Sequence, residues 1–312
     1  MVFFIILLIV LVALIGVLWF CFNLAFVRQN IDGLEDLDSD INNFLADYKP
    51  QVQEGMKFAD EQPFEYVTAE SFDKLKLIGR YYKNGNSDRT IMLFHGYRSA
   101  AKRDFSCAIK MYYEMGLNVL LVDQRAHGKS EGRVITYGVK ESRDVLSWIE
   151  LILQRYGQKQ IFLDGLSMGA TTVMLSTRLN LPPHVKGIIA DCGFSSPAQI
   201  IKIVAKKNFH INGAIAVPLM NLLCKLFADF SLYELSAEEV LKTSKIPIFI
   251  LHGKNDGLVP YEMSVKAFNA ANNPKEIHLV EGADHGMSFL KDTENVSRKL
   301  SDFINRNSKP NL

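Results

Sequence analysis

The chain opens on its longest unbroken apolar run: Val2 to Phe22, 21 residues with neither charge nor side-chain amide, interrupted only by Gly16. Coiled as a helix at 1.5 Å per residue, the run reaches ~32 Å, the thickness of a hydrocarbon core. A single-pass membrane anchor over residues 1–27 is the expected reading. A cleaved signal would want a basic start, a shorter run and small residues at the exit. Here no Lys or Arg precedes the run, and its exit reads Trp19-Phe20-Cys21-Phe22-Asn23. A buried helix of a soluble domain is the remaining alternative. Residues 28–63 follow as an acidic juxtamembrane spacer: from Arg28 to Lys49 there are two basic and six acidic side chains. A partly helical, solvated stalk is expected there.

Beyond Pro63 the pattern changes to short apolar runs rich in β-branched residues, separated by helix-length stretches. Glu65–Thr68 and Leu75–Tyr82 flank a polar turn at Asp73 and predict a hairpin. Further strands are expected at Thr90–Phe94, Asn118–Val122, Ile161–Leu163, Val185–Ala190, Ile248–Leu251 and Ile277–Val280. Helices are expected at Arg103–Met115, Lys140–Tyr156, Ala170–Arg178, Tyr261–Ala271 and Ser288–Ile304. Alternating strands and helices with continuously apolar strands predict an α/β fold, a mostly parallel sheet covered on both faces. Ligands of such sheets bind beyond the carboxyl ends of the strands. An insert at about 193–245 breaks the rhythm, with helical pieces at Ile200–Lys206, Ala214–Phe230 and Ala237–Thr243. A lid over the site is the expectation, an extra packed helical layer the alternative.

Composition narrows the function. The chain is 48% hydrophobic and 22% charged, which excludes a disordered protein. Its 35 basic and 34 acidic residues give no basic excess, so nucleic acid is not an expected partner. Four cysteines, scattered and without a CxxC, make neither a disulfide framework nor a zinc site. No metal and no cofactor is called for.

Three loops at the expected carboxyl edge carry chemistry. Gly165-Leu166-Ser167-Met168-Gly169 sits between a strand and a helix, where a tight turn displays a serine and flanking glycines let backbones pass closely. Serine needs a base, and the base an orienting carboxylate. His285, in Gly282-Ala283-Asp284-His285-Gly286, follows the last strand. Asp256, in His252-Gly253-Lys254-Asn255-Asp256, follows the strand before it. Asp284 and Asp191 are rivals for the carboxylate; Asp284 is too near His285 in sequence to reach its far nitrogen. The Met168 and Tyr97 amides are expected to face an oxyanion, with His95 orienting the loop that carries Tyr97.

With these pieces assembled, the chain resembles an α/β-hydrolase from Pro63 to Ile304. HGY at 95–97, DQRAHGKSEG at 123–132, GLSMG at 165–169, HGKNDGLVP at 252–260 and GADHG at 282–286 carry the resemblance. The insert and the stretch after it are similar to Bem46-like and serine-aminopeptidase-like (S33-type) bacterial membrane-associated members. The resemblance implies an α/β-hydrolase fold over residues 64–312: an eight-stranded sheet, its second strand antiparallel. It also implies Ser167 as nucleophile, His285 as base and Asp256 as orienter, with Tyr97 and Met168 as oxyanion donors. In that family the segment holding Asp123, Arg125, His127, Gly128 and Ser130 is a scaffold turn. Ala126 departs from the glycine common there.

The expected activity is hydrolysis of a small-molecule carboxylic ester through an acyl-enzyme. A small-peptide amidase or aminopeptidase is the alternative, for which Asp229, Glu234, Glu238 and Glu239 are candidate ammonium partners. A non-catalytic tethered binding protein is the rival class, though no triad member is missing. The cell membrane is the expected location, through residues 2–27. Its flank holds too few basic residues to fix the side of the domain, and the reading leans extracytoplasmic. Oligomeric state is left open.

Overall fold

The computed structural model describes residues 1–308; residues 309–312, the end of the expected 64–312 domain, lie outside the described residues. In chain order the helices are α1 (Val2–Phe26), α2 (Lys49–Glu61), α3 (Ala101–Asp104), α4 (Ser106–Glu114), α5 (Glu141–Tyr156), α6 (Met168–Ser176) and α7 (Pro197–Phe209). After these come α8 (Gly213–Phe227), α9 (Ala237–Leu241), α10 (Glu262–Ala270), α11 (Ser288–Lys291) and α12 (Thr293–Asn307). A 3₁₀ stretch, Asp40–Tyr48, precedes α2.

The strands are β1 (Glu65–Glu70), β2 (Lys76–Tyr82), β3 (Arg89–Phe94), β4 (Asn118–Val122), β5 (Gln160–Leu166), β6 (Val185–Asp191), β7 (Ile248–Gly253) and β8 (Lys275–Val280). They form one sheet in the order β1-β2-β4-β3-β5-β6-β7-β8. β2 is antiparallel to both neighbours and every other pairing is parallel. Strands β3, β4 and β7 are buried almost throughout, because helices cover both faces. One core layer joins α2, α4 and α12 to the sheet, another α5, α6 and α10. This is the α/β-hydrolase fold.

Two helices expected as single pieces are broken. The one after β3 stops at Asp104 and restarts at Ser106, since Phe105 leaves helical geometry. Asp104 there accepts hydrogen bonds from the Gly96 amide (2.8 Å) and the Ser99 hydroxyl. The last helix breaks at Asp292 (φ −135°, ψ 54°), so that the turn from Ser288 stays with the His285 loop.

The largest difference concerns residues 28–63. Instead of a solvated stalk, this segment packs onto the sheet layer: Leu45, Val52, Met56 and Ala59 are buried beside Ile109 and Tyr112 of α4. Closeness explains the glycine at 55, since a Cβ there would stand 2.2 Å from the Ser106 carbonyl oxygen. The apolar i, i+4, i+7 spacing of Val52, Met56 and Ala59 marks a buried helical face, masked in the sequence by surrounding charge.

α1 is helical along its whole apolar run, long and apolar enough to cross a membrane. Its last turn is not free: Phe22 and Phe26 are buried in a third cluster with Tyr137, Phe194, Val217 and Met220. Just beyond it the chain adds to the domain edge. The Ile135 amide donates to the Phe26 carbonyl (2.8 Å), and the Arg28 amide to the Arg133 carbonyl (2.7 Å).

Gly55→Ala discriminates a packed α2 from a solvated one. In an exposed helix the change stabilises by ~1 kcal/mol. Against the Ser106 backbone it overpacks, at a cost of about 1–3 kcal/mol. We expect thermal unfolding of the variant several degrees below wild type; an unchanged or raised midpoint contradicts the packing.

Candidate active site

β5 delivers Ser167 to the carboxyl edge of the sheet, and the chain turns at once into α6. The turn forces Ser167 to φ 56°, ψ −111°, a conformation that L-residues hold only when their surroundings impose it. Glycines make this turn possible. A Cβ at Gly165 would meet the Gly169 backbone at 2.2 Å, and one at Gly169 would meet the Phe94 carbonyl oxygen at 1.8 Å.

The loops after β7 and β8 bring the other two expected residues to it. His285 Nε2 lies 2.9 Å from Ser167 Oγ, and its Nδ1 lies 2.7 Å from Asp256 Oδ2. Three segments remote in sequence thus line up as hydroxyl, imidazole and carboxylate. The Asp256 side chain is fully buried, whereas the His285 ring is partly open to solvent.

Asp256 is fixed by more than His285. Its Oδ1 accepts the amides of Leu258 (2.8 Å) and Val259 (2.7 Å). Its Oδ2 also receives Nε2 of His252 at 3.0 Å, while His252 Nδ1 pairs with Ser264 Oγ at 2.7 Å. Burial alone would raise this carboxyl, but hydrogen bonds from His252 and His285 outweigh it and hold it well below the usual carboxylate range. His252 is the residue that sequence reasoning missed. Its signal was present, a histidine four residues before the aspartate in the same loop, but it read only as the end of a strand.

The rival carboxylates lie elsewhere. Asp284 Oδ1 accepts the Gly257 and His285 amides and so braces both loops. Asp191 is bonded by Ser288 Oγ. Burial, then the neighbouring Asp164, raises its pKa far above the usual range. Asp164 is itself pushed up to about 7 by burial and takes a 2.6 Å hydrogen bond from Tyr112.

The second expected amide follows Gly96, whose Cβ position would lie 3.6 Å from Ser167 Cβ. The Gly96–Tyr97 peptide therefore runs beside the serine. Met168 opens α6, and first-turn amides of a helix lack an intrahelical acceptor. His95 is buried: its Nε2 accepts the Gln124 amide (3.2 Å) and its Nδ1 faces the Gly96 carbonyl (2.7 Å), which fixes the loop. The scaffold turn is tied down through Arg125, paired with Asp144 (2.6 Å) and Asp73 (2.9 Å). Ala126 holds φ 61°, the left-handed region that suits a glycine.

Cys192 Sγ, Asp256 and His285 also place three potential metal donors within 4.8 Å of one another. Burial, the largest cause, raises the Cys192 thiol far above its ordinary pKa, and a protonated thiol is a poor ligand. Asp256 and His285 are moreover already engaged with each other. The donor set does not suit a metal.

A cavity of about 340 Å³ opens over Ser167 and His285. Its apolar walls include Ile31, Leu34, Phe44 and Leu45 from the segment after α1, with Leu258 and Leu290. Among the described residues, none from the 193–245 insert lines it. The insert expected to cover the site packs instead around the end of α1, and the segment expected as a stalk supplies a wall.

The comparisons with known proteins agree with this fold. A family profile described as serine aminopeptidase, S33, matches residues 85–237. An esterase of Pyrococcus furiosus, Pf2001, superimposes with a TM-score of 0.63 at 25% identity, covering 78% of this chain and 93% of that one. The chain belongs to the α/β-hydrolase superfamily. Among curated relatives of this hydrolase, YqkD of Bacillus subtilis, itself uncharacterized, is 22% identical over 268 residues, 86% of this chain and 87% of YqkD. Protein bem46 of Schizosaccharomyces pombe is 23% identical over 250 residues, 78% and 77% of the two chains.

The depressed Asp256 carboxyl generates a test of the site as a structural unit. A carboxylate whose pKa falls on folding adds stability above its unfolded value of ~3.9 and loses it as pH drops through the folded value. Asp256→Asn should lower the thermal midpoint at pH 7, with the gap to wild type narrowing below about pH 4. A gap that stays constant from pH 7 to pH 3 contradicts the assignment.

Proposed function

We propose that this hydrolase cleaves carboxylic esters through an acyl-enzyme on Ser167. The observation that carries the reading is the single imidazole of His285, within hydrogen-bond reach of both the Ser167 hydroxyl and the Asp256 carboxylate. Ser167 Oγ attacks the ester carbonyl carbon while His285 Nε2 takes its proton. The resulting oxyanion is met by the Tyr97 and Met168 amides. Collapse breaks the bond to the alcohol oxygen, which leaves with the proton from His285. Water, deprotonated by the same nitrogen, then attacks the acyl group, and the acid is released with Ser167 restored. Asp256 keeps the ring oriented and stabilises its charged form.

The cavity walls favour an ester with an apolar acyl group over a peptide. An aminopeptidase must hold a substrate ammonium, and among the described residues Asp104 is the one acidic residue lining the cavity. Its carboxylate already serves Gly96, Ser99 and Arg103. Asp229, Glu234, Glu238 and Glu239 are absent from the lining; Glu238 takes a 2.7 Å hydrogen bond from Ser195, and Asp229 pairs with Lys140. α1 tethers the enzyme to the cell membrane in this reading.

The full-length chain in detergent should hydrolyse p-nitrophenyl esters faster than aminoacyl anilides, and Ser167→Ala should lower kcat by ~10⁴-fold or more. The reverse ranking of substrates would assign an amidase.

The tether is also built into the site. Tyr97 Oη donates to the Ala25 carbonyl (2.9 Å), Arg98 Nη2 to the Val27 carbonyl (3.0 Å), and the Arg28 guanidinium to the Gly128 and Ser130 carbonyls (both 2.6 Å). Tyr97→Phe frees one side of the loop whose amide faces the oxyanion. A lost interaction of ~1.4 kcal/mol corresponds to about a tenfold fall in kcat, with KM little changed. Wild-type kcat in this variant would show that the end of α1 does not position the loop.

A further inference from the structure

α8 is mostly apolar, with Asn221 and Lys225 on one side as its strongly polar residues. Its buried stripe, Val217, Met220 and Cys224, faces the cluster formed with Phe22 and Phe26. The opposite stripe, Ile215, Leu219, Leu222 and Leu226, follows the i, i+4, i+7, i+11 spacing of one helix face and is exposed, Leu226 to 65% and Ile215 to 60%. A helix with apolar stripes on two opposite faces buries one in its domain and leaves the other to be covered by something else. At 15 residues, α8 is too short to span a bilayer.

Two further observations identify what covers this face. The exposed stripe is continuous with the candidate membrane span: the Trp19 and Phe227 rings meet edge-on at 5.0 Å, and residues of α1 before that point are exposed and apolar. Along α7 and α8 the charge has one sign. Between Asp191 and Asp229 the chain contains Lys202, Lys206, Lys207 and Lys225 and no acidic residue, although the protein as a whole is nearly neutral. No ion pair engages these lysines among the described residues. Lys207 reaches the Gly257 carbonyl, whereas Lys202, Lys206 and Lys225 are left to border the apolar face, the composition of a helix lying in the interface of an anionic bilayer.

We propose that α8 lies in the membrane interface, its Ile215–Leu226 stripe in the acyl region and the lysines of α7 and α8 at the headgroups. The insert at 193–245 is thereby a second point of membrane contact beside α1. The inference rests on the reading of α1 as an anchor and adds to it a bound orientation of the domain. With α8 at the surface, the carbonyls of Ala25 and Val27 that hold the Tyr97–Arg98 loop lie only about two helical turns beyond the Trp19–Phe227 contact, so the cavity opens near the lipid.

The test places photoreactive benzoylphenylalanine, one position at a time, in the full-length chain reconstituted into phosphatidylcholine–phosphatidylglycerol vesicles. The positions are Leu8 on α1, Leu222 and Leu226 on α8, and the exposed Glu150 on α5 as a control. Mass analysis after irradiation should find lipid adducts at 8, 222 and 226 and none at 150. Adducts at 8 without adducts at 222 or 226 overturn the interfacial α8 and leave the anchor standing. Absence of an adduct at 8 overturns the anchor reading itself. Cross-links between two copies at 222 in place of lipid adducts also overturn the proposal, since a second chain would then cover the face. Lys202→Glu with Lys206→Glu should reduce the yield at 222 severalfold in anionic vesicles; an unchanged yield contradicts the headgroup contact.

Discussion

In the proposed mechanism the His285 ring must be held still, and what holds it is a carboxylate with no freedom left. Asp256 is bound by two backbone amides and two imidazoles. Four donors on one buried carboxylate offset the cost of removing its charge from water. The arrangement depends in turn on His252, anchored by Ser264 at the start of α10. A short chain of fixed polar groups therefore runs from a helix under the sheet edge to the Ser167 hydroxyl.

The strain at the serine is maintained by the same rigidity. Ser167 keeps a positive φ because β5, α6 and the end of β3 approach too closely for anything but glycine at 165 and 169. The loop carrying Tyr97 is held from three sides: by His95 and Asp104 from within the domain, and by the carbonyls at the end of α1 from outside it. The apolar N-terminal helix is consequently more than a length of chain that reaches the domain. Its final turn buries Phe22 and Phe26 and fixes a loop beside the serine.

Much of this was legible in the residues. Strand positions followed from β-branched runs, and the polar punctuation after each run marked the edge where Ser167, Asp256 and His285 meet. Under the proposed mechanism those three residues are recognisable because the chemistry constrains both their type and their order along the chain. What escaped was set by tertiary packing. Val52, Met56 and Ala59 are three apolar positions diluted by Lys, Glu and Asp, so the segment looked solvated; its burial depends on the complementary surface of α4, which a local pattern does not reveal. The insert misled in the opposite sense. Its apolar middle suggested a cover for the cavity, whereas hydrophobicity alone cannot say which surface an element faces. His252 was overlooked because its role exists only through contacts with Ser264 and Asp256.

The central claim, that His285 activates Ser167 as a nucleophile, is tested most directly by a fluorophosphonate applied to the full-length chain. Peptide mapping should place a single phosphonyl adduct on Ser167, formed by wild type and lost in His285→Ala, which retains the hydroxyl but has no base. Labelling of His285→Ala at the wild-type rate, or an intact wild-type protein that forms no adduct at Ser167, would contradict the account.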